Sequence, residues 1–554
     1  MKEQISRRSF LAAAGAGALG LGLAGCAGSQ NNKEAGASSG AVSWDKETDI
    51  LVVGSGTAAF AALAAKKYGA ESVLLIEKES TWGGTSATSG GGVGIPLTTA
   101  AKNEGVQDSL EKVLTYYKQA SQGRADEAVV ESYVSNGDAF LKWTGEALGF
   151  EWGLSPQKLF QDYYEPLDGF LPFGRGCISV VSINGEKKSQ TGPAVWAVLQ
   201  KAVEEAGVEV LMETAADDLI VEGDVVVGVR ASTKKGKLNI RAKTAVILGT
   251  GGFEHNDDMR SRYLPSPLLA TNSCVGNTGD AQRMGMKIGA NLSHMDRSWG
   301  VPFFLPAGKD PAAMILNNEI VFDMKGTDWA MYRPRPGAIV VNRRGERIGD
   351  ESAAYDTYNR VFSDFDTRTM TFFNIPAFFI CDSDCASAYP FPGTKAPGDP
   401  MPDFFVKADT LEELADKLGI DKAGLAAEVA SFNEGASNGK DPKYHRGESN
   451  FSILTCGTIM GSRTDIPNQV LAPLLTPPFY GAMYVPGTCG TNGGLTINGN
   501  AQVVNLQGEA IPQLYAVGNC SSGVSGGAYC HGGMTLGSGS VMGWVAVRHA
   551  LGVS

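Results

Sequence analysis

One segment near the start of the chain constrains the fold more than any other. A buried strand over residues 49–53 runs into GSGTAA (54–59), a helix follows through Lys67, and a second strand over 73–76 ends at Glu77. This strand–helix–strand unit carries GxGxxA at its first turn and an acid about twenty residues further on, which is typical of a dinucleotide site. We therefore predict an α/β fold with a Rossmann-like domain.

Each residue type in this unit has a physical role. Gly54 permits the tight turn, Gly56 lets the backbone approach a pyrophosphate at the helix N-terminus, and Ala59 keeps helix and strand close. Glu77 would accept hydrogen bonds from the ribose of the adenosine half. Lys78 follows directly, and we predict that it also binds the cofactor.

A second loop, rich in Gly, Ser and Thr, follows over residues 83–92. Domains that bind NAD alone rarely need such a loop, whereas the pyrophosphate and isoalloxazine of a flavin run alongside it. We therefore predict FAD. Because no His lies between Glu77 and Leu97, we predict that the FAD is non-covalent. The predicted contacts from this loop are Gly84, Thr85, Ser86, Ser89, Gly90 and Gly91.

Later glycine-rich segments are also predicted to contact the cofactor. A strand over 244–248 is closed by GTGGF (249–253), GDAQRMG (279–285) opens a helix, and YAVGN (515–519) is a last strand and turn. A final helix from Met534 to His549 could point its positive dipole at the flavin. The predicted contacts from these regions are Gly251, Asp280, Asn519, Thr535 and Leu536, and Ala216 is a further predicted contact outside them.

Composition changes near residue 296, where aromatic residues and Pro become more frequent and the strand–helix rhythm fades. An amphipathic helical pair lies over 411–432. We predict an FAD-binding domain that is discontinuous in sequence, over 47–295 and 477–554. An inserted α+β capping or substrate domain is predicted over 296–476.

The first residues contain targeting signals and are not predicted to be part of the folded domain. SRRSFL (6–11) is a twin-arginine signal, and LAGC (23–26) resembles the bacterial lipobox. We predict a signal peptide over 1–25, acylation of Cys26 and a flexible tether over 26–46. The expected location is the cell membrane, with a lipid anchor on the extracytoplasmic side.

Charge and residue spacing exclude several function classes. The formal net charge is −12 and no long basic tract occurs, so we expect no nucleic-acid partner. CxxC and CxxCH are both absent, which argues against haem attachment and common iron–sulfur spacings. With five scattered His, we predict no metal site. No run approaches the ~20 apolar residues of a spanning helix.

The ordered motifs of the chain resemble one superfamily over roughly residues 47–550. Besides those already quoted, they are FQDYYEP (160–166), GERIGDESAAYDTY (345–358), PGTCGTNGGL (486–495) and AYCHGGMTLGSG (528–539). The set resembles the FAD-dependent fumarate reductase/3-ketosteroid dehydrogenase superfamily, and most of all its 3-ketosteroid Δ1-dehydrogenase branch. Fumarate reductases use an Arg proton donor and clamp two carboxylates with Arg and His. Here Tyr355 stands where that Arg is expected and Arg360 is the nearest cation, which disfavours a dicarboxylate.

This resemblance implies a reaction at a carbon–carbon bond next to a ketone. The Tyr529 hydroxyl and the Gly533 N–H would hold the ketone oxygen. Tyr355 would be the base, hydrogen-bonded to Tyr163, and the flavin N5 would take a hydride from the β-carbon. Run backwards, the same groups reduce an enone. The expected partners are a small hydrophobic, steroid-like ketone or enone and a membrane quinone or other electron carrier.

Several alternatives stay open from the sequence. Tyr358 is a rival for the role of Tyr355, and Tyr164 is adjacent to Tyr163. His531, where the family usually has Pro-Gly, is either a packing residue or a polar contact that alters substrate choice. Dehydrogenation and reduction are both open. So are a fumarate-reductase-like reductase of another small acceptor and a flavin electron-transfer protein without its own substrate.

Overall fold

A parallel sheet organises the part of the chain that carries the nucleotide motifs. The computed structural model describes residues 42–154, 161–187, 191–322, 335–458, 463 and 465–553. Strand Lys46–Val53 is central and pairs in parallel with Val73–Ile76 and with Gly236–Leu248. The order across the sheet is Gln502–Val504, Ala510–Ala516, Gly236–Leu248, Lys46–Val53, Val73–Ile76 and Glu209–Leu211. An antiparallel ribbon, Ala215–Glu222 with Val225–Thr233, extends from Gly236–Leu248.

Helices cover this sheet because its strands are apolar on both faces. Helix Ala59–Lys67 is buried over its first seven residues, since the first strand lies on one side of it and other helices pack on the other. Those neighbouring helices are Gly192–Glu205 and Met534–Leu551. The arrangement confirms the predicted α/β, Rossmann-like fold.

A second, antiparallel sheet lies in the later part of the chain. Its strands, in order, are Phe303–Phe304, Phe479–Val485, Ala377–Cys381 and Ala338–Val341, with Val406–Ala408 also paired to Phe479–Val485. Separate apolar cores lie on this sheet, one of them beneath helices Leu411–Leu418 and Lys422–Ser437. The chain forms one compact unit from Trp44 onward, so the predicted boundary of an inserted domain stays a prediction.

The remaining described elements are mostly short, apart from the 22-residue helix Glu127–Leu148. Among the described residues, the other α-helices are Gly84–Ala87, Thr99–Asn103, Leu110–Ala120, Glu127–Leu148, Asp257–Tyr263, Asp280–Lys287, Pro311–Leu316, Tyr355–Asn359 and Ser383–Ala388, and a π-helix covers Phe451–Thr458. Short strand pairs include Phe150–Gly153 with Ser179–Ile183. Within the described ranges, every helix is too short or too polar to cross a membrane. The predicted signal peptide, and Cys26 with most of the tether, lie outside the described residues.

Candidate active site

A cavity of about 430 Å³ lies where the parallel strands of the first sheet end. All but one of the predicted site residues line it. They are Gly54, Gly56, Glu77, Lys78, Gly84, Thr85, Ser86, Ser89, Gly90, Gly91, Tyr163, Ala216, Gly251, Asp280, Tyr355, Asn519, Tyr529, Gly533, Thr535 and Leu536. Ala59 is the exception. It is fully buried at the start of its helix and packs in the core, so it spaces helix from strand and makes no wall of the cavity.

The glycines after the first strand bring backbone close to backbone. Gly54 has φ of +105°, and a Cβ there would lie 2.3 Å from the carbonyl oxygen of Gly249. Any side chain at this position would therefore push the turn away from the neighbouring strand end. Gly56 follows just before the helix that begins at Ala59, where the first N–H groups of a helix have no intrahelical partner. These residues fit the pyrophosphate of a dinucleotide.

Glu77 is held in place by its own neighbours. One carboxylate oxygen accepts hydrogen bonds from the Ser55 backbone N–H at 2.9 Å and from its hydroxyl at 2.7 Å, and the other accepts from the Glu79 N–H at 2.9 Å. A carboxylate has about four acceptor positions, so the group can still accept from a ribose hydroxyl. The adenosine end of the cavity therefore fits the prediction made for Glu77.

Lys78 faces the same end of the cavity but is already paired. Its ammonium lies 2.7 Å from the carboxylate of Asp280 and donates to the Thr278 hydroxyl at 2.8 Å. This ion pair ties two segments of the cavity wall that lie 202 residues apart in sequence. Lys78 is thereby oriented by the protein before any cofactor binds.

Three phenols of the cavity wall lie together and form what we call the tyrosine cluster: Tyr163, Tyr355 and Tyr529. The Tyr163 hydroxyl donates to the Tyr355 hydroxyl at 3.4 Å. The ring centroid of Tyr529 lies 5.4 Å from each of the other two rings. Trp299 packs on Tyr529 at 5.0 Å between centroids, which makes this part of the cavity aromatic.

The structure separates the cluster from the rival residues. Neither Tyr164 nor Tyr358 lines the cavity, and Tyr358 packs in an apolar core on the antiparallel sheet. His531 also lies outside the cavity wall, fully buried, with its Nε2 hydrogen-bonded to the Tyr117 hydroxyl at 2.8 Å. Burial lowers the pKa of His531 to about 3, so the ring is neutral. This placement favours the packing role for His531.

The phenols of the cluster are poor acids in this environment. Burial raises the pKa of Tyr355 well above its ordinary value, and negative charge on Tyr163 or Tyr529 acts in the same direction. Burial also raises the pKa of Tyr529, against a smaller lowering by its hydrogen bond with Tyr355. Both hydroxyls are therefore protonated at neutral pH and can donate hydrogen bonds.

Among the described residues of the cavity wall there is no Arg and no His. Arg360, the cation nearest in sequence to Tyr355, instead pairs with Asp356 at 3.3 Å and lines a separate cavity of about 90 Å³. A dicarboxylate needs bidentate cations. The described walls offer phenols and backbone N–H groups, which suit a neutral carbonyl.

Sequence reasoning missed several residues of the wall. Trp299 donates its indole N–H to the Asn519 side-chain oxygen at 3.0 Å and so orients a predicted cofactor contact. The wall also carries three thiols, Cys177, Cys274 and Cys489. Cys489 lies within the PGTCGTNGGL motif, so the motif itself was a usable signal. Trp299 had none, since it belongs to no motif.

The fold and the cavity together define a flavin-dependent oxidoreductase. The chain belongs to the family described as "FAD binding domain", whose model matches residues 49–536. It is 30% identical to a 4-oxocyclohexanecarboxylate 2-dehydrogenase of Sinomonas cyclohexanicum, covering 91% of this chain and 93% of that protein. It is 31% identical to a 3-oxosteroid 1-dehydrogenase of Mycobacterium tuberculosis, covering 91% of this chain and 98% of that protein.

A solved structure shares this architecture. The 3-ketosteroid Δ1-dehydrogenase of Sterolibacterium denitrificans, in complex with 1,4-androstadiene-3,17-dione, matches with a TM-score of 0.79 at 28% identity. The match covers 92% of this chain and 100% of that one. The cofactor is FAD, and the chain is an enzyme of the class that acts on CH–CH groups.

Proposed function

We propose that this protein introduces or reduces a carbon–carbon double bond next to the ketone of a hydrophobic cyclic substrate. The observation that carries the proposal is the tyrosine cluster, which lies in the cavity wall where the described residues offer no Arg or His. FAD, when bound, supplies the hydride acceptor or donor for the carbon–carbon bond. The protein's own residues hold the ketone and move the proton.

Tyr529 and Gly533 would hold the ketone oxygen. The Tyr529 hydroxyl is protonated, and Gly533 offers a backbone N–H in the same wall. Gly533 has φ of +77°, and a Cβ there would lie 2.6 Å from the Gly92 carbonyl oxygen, so a side chain would displace this N–H. Removing one such donor from an oxyanion hole costs ~3–4 kcal/mol of transition-state stabilisation.

Tyr355 would carry the proton at the carbon next to the ketone. In dehydrogenation its phenolate form accepts that proton, and in enone reduction the protonated phenol donates one. Its hydrogen bond from Tyr163 at 3.4 Å orients the phenol. The two directions use the same atoms, so the geometry supports both.

The substrate class is inferred from the wall and from the relatives. The names of the two curated relatives both describe cyclic ketones. One of those ketones carries a carboxylate, which would need a cation in the cavity wall. Lys78 is the cation in the described wall, and it is already paired with Asp280. A neutral, steroid-like ring ketone therefore fits better than a keto acid.

Anaerobic stopped-flow measurement of flavin absorbance tests the proposal. Oxidised holoprotein is mixed with saturated ring ketones of one to four rings, and reduced holoprotein with the matching enones and with fumarate. Each neutral ketone is paired with a carboxylated analogue as the control. We expect the neutral members to react faster. Reaction with fumarate alone would favour the fumarate-reductase-like alternative, and no reaction with any member would favour an electron-transfer protein.

We also propose that the protein is anchored to the extracytoplasmic side of the membrane by a lipid on Cys26, where a quinone or another carrier exchanges electrons with it. The twin-arginine and lipobox motifs support this proposal. Cys26→Ser should move the protein from the membrane to the soluble fraction, whereas Ser29→Ala in the same predicted tether should not. A mature N-terminus well past Cys26 in mass spectrometry would refute the anchor.

A further inference from the structure

Tyr116 joins the two chain segments that carry the tyrosine cluster. It is fully buried in helix Leu110–Ala120. Its hydroxyl donates to the carbonyl oxygen of Cys530 at 2.9 Å and accepts from the backbone N–H of Tyr164 at 3.1 Å. Cys530 is next to Tyr529, and Tyr164 is next to Tyr163. One phenol oxygen therefore joins the backbones of the two residues that directly follow Tyr529 and Tyr163.

The Cys530 carbonyl oxygen accepts two hydrogen bonds, the first of them from the Tyr116 hydroxyl. It also accepts a hydrogen bond from the backbone N–H of Tyr163 at 2.9 Å. A β-bridge between Asp162 and His531 continues the pairing of the two segments. A carbonyl oxygen has two lone pairs, so both bonds can form together. The spacing of the phenols of Tyr163 and Tyr529 thus depends on these backbone bonds.

The chemistry of Tyr116 suits a fixed link. A phenol has one donor and can also accept, and this hydroxyl uses both capacities. Burial and the negative charge of Asp162 raise the pKa of Tyr116 well above its ordinary value, so the donor is present at every working pH. The guanidinium of Arg175 lies 5.5 Å from the ring centroid and is itself held by Asp108 at 2.5 Å and Asp162 at 2.7 Å. The ring therefore has little freedom to turn.

We infer that Tyr116 is a positioning residue that sets the separation of Tyr163 and Tyr529 for the reaction, an inference that rests on the proposed function. The adjacent Tyr117 gives a matched comparison. It is equally buried and also makes a hydrogen bond to the 529–533 segment, but to the side chain of His531 rather than to the backbone. Loss of its hydroxyl leaves the link between the two segments intact.

The test compares the Tyr116→Phe and Tyr117→Phe holoproteins with wild type. Tyr116→Phe should keep its FAD content and lower kcat by about 10- to 100-fold, since sub-ångström misplacement of reacting groups is costly. KM should stay within about threefold, because the groups that bind the ketone remain present. Tyr117→Phe should keep kcat within about threefold of wild type. Equal losses of kcat in both variants, or a raised KM at constant kcat, would overturn the inference.

Hydrogen–deuterium exchange tests the link without relying on turnover. Peptides covering 161–165 and 529–533 should both exchange faster in Tyr116→Phe, whereas only the second should do so in Tyr117→Phe. Faster exchange in one segment alone for Tyr116→Phe would overturn the link. If wild type reacts with no ketone or enone, the proposed function fails while this experiment still decides whether the link exists.

A second variant covers the case in which Tyr116→Phe does not fold. Arg175→Lys keeps a positive charge between Asp108 and Asp162 but removes the planar group beside the Tyr116 ring. It should lower kcat about 3- to 10-fold with KM unchanged. An unchanged kcat in Arg175→Lys, together with unchanged exchange in both segments, would count against the link.

Discussion

Tyr355 should give the proposed reaction different pH dependences in its two directions. Burial raises the pKa of Tyr355 well above its ordinary value of ~10, and negative charge on Tyr163 or Tyr529 adds to this effect. The phenol is therefore protonated throughout the neutral range. Enone reduction needs this protonated form as the acid, whereas dehydrogenation needs the phenolate as the base.

The size of the effect follows from the ionised fraction of Tyr355. With a pKa above ~10, fewer than about one molecule in 1,000 carries the phenolate at pH 7. That fraction adds at least about 4 kcal/mol to the dehydrogenation barrier, at about 1.36 kcal/mol per pH unit. Because the ionised fraction grows tenfold with each unit, the dehydrogenation rate constant should rise about tenfold per unit from about pH 6 to 9. The rate constant of enone reduction should stay constant within about twofold over the same pH range.

Single-turnover stopped-flow at saturating substrate measures both rate constants from flavin absorbance. Tyr355→Phe should remove the slope for dehydrogenation. Tyr358→Phe is the matched control and should keep the slope, since Tyr358 is three residues away and lies outside the cavity wall. A wild-type dehydrogenation rate that does not change between about pH 6 and 8 would refute the reasoning, because the proton would then go to a group other than Tyr355.

The cavity and a buried ion-pair cluster give three shorter predictions. Tyr529→Phe removes one donor to the ketone oxygen and should slow flavin reduction roughly 10²- to 10³-fold at unchanged FAD content; near wild-type rates would contradict that role. Acid precipitation should leave the FAD in the supernatant, and a yellow pellet would show a covalent bond instead. Arg347→Met removes the cation now 2.5 Å from buried Glu351 and 2.8 Å from buried Asp441, while Arg446 at 3.4 Å still pairs with Glu351. It should lower the free energy of urea unfolding by about 3–5 kcal/mol; a loss below about 1 kcal/mol would contradict it.

The nucleotide-binding half of the fold could be predicted because its signals are local. The strand over 73–76 and the end of the first helix at Lys67 match the structure, since apolar runs and glycines within one βαβ unit determine them. The later segment was harder to divide. Strand Phe479–Val485 pairs with Ala377–Cys381 across the predicted domain boundary, which stays a prediction. Such long-range antiparallel pairing leaves no mark in a short window of sequence.

The candidate site shows the same division between local and long-range information. Motifs placed Glu77 and the glycine loops at the cavity, because the backbone there must approach a ligand. They favoured Tyr355 and left Tyr358 as a rival, since both lie in one helical turn and only packing decides which phenol faces the cavity. The place of Trp299 in the cavity wall could not be predicted for a related reason. Its function depends on a hydrogen bond to Asn519, which is 220 residues away in sequence.

The thiols in the cavity wall must be compatible with the electrophilic enone of the proposed reaction. An α,β-unsaturated ketone is a Michael acceptor, and a cysteine thiolate adds to its β-carbon. Burial raises the pKa of Cys177 and of Cys489 to about 12 and also raises that of Cys274. At pH 8 only about one in 10,000 of the first two is ionised, and the thiol form is a weak nucleophile. Under the proposed function, the wall can therefore meet an electrophile at every turnover without being alkylated by it.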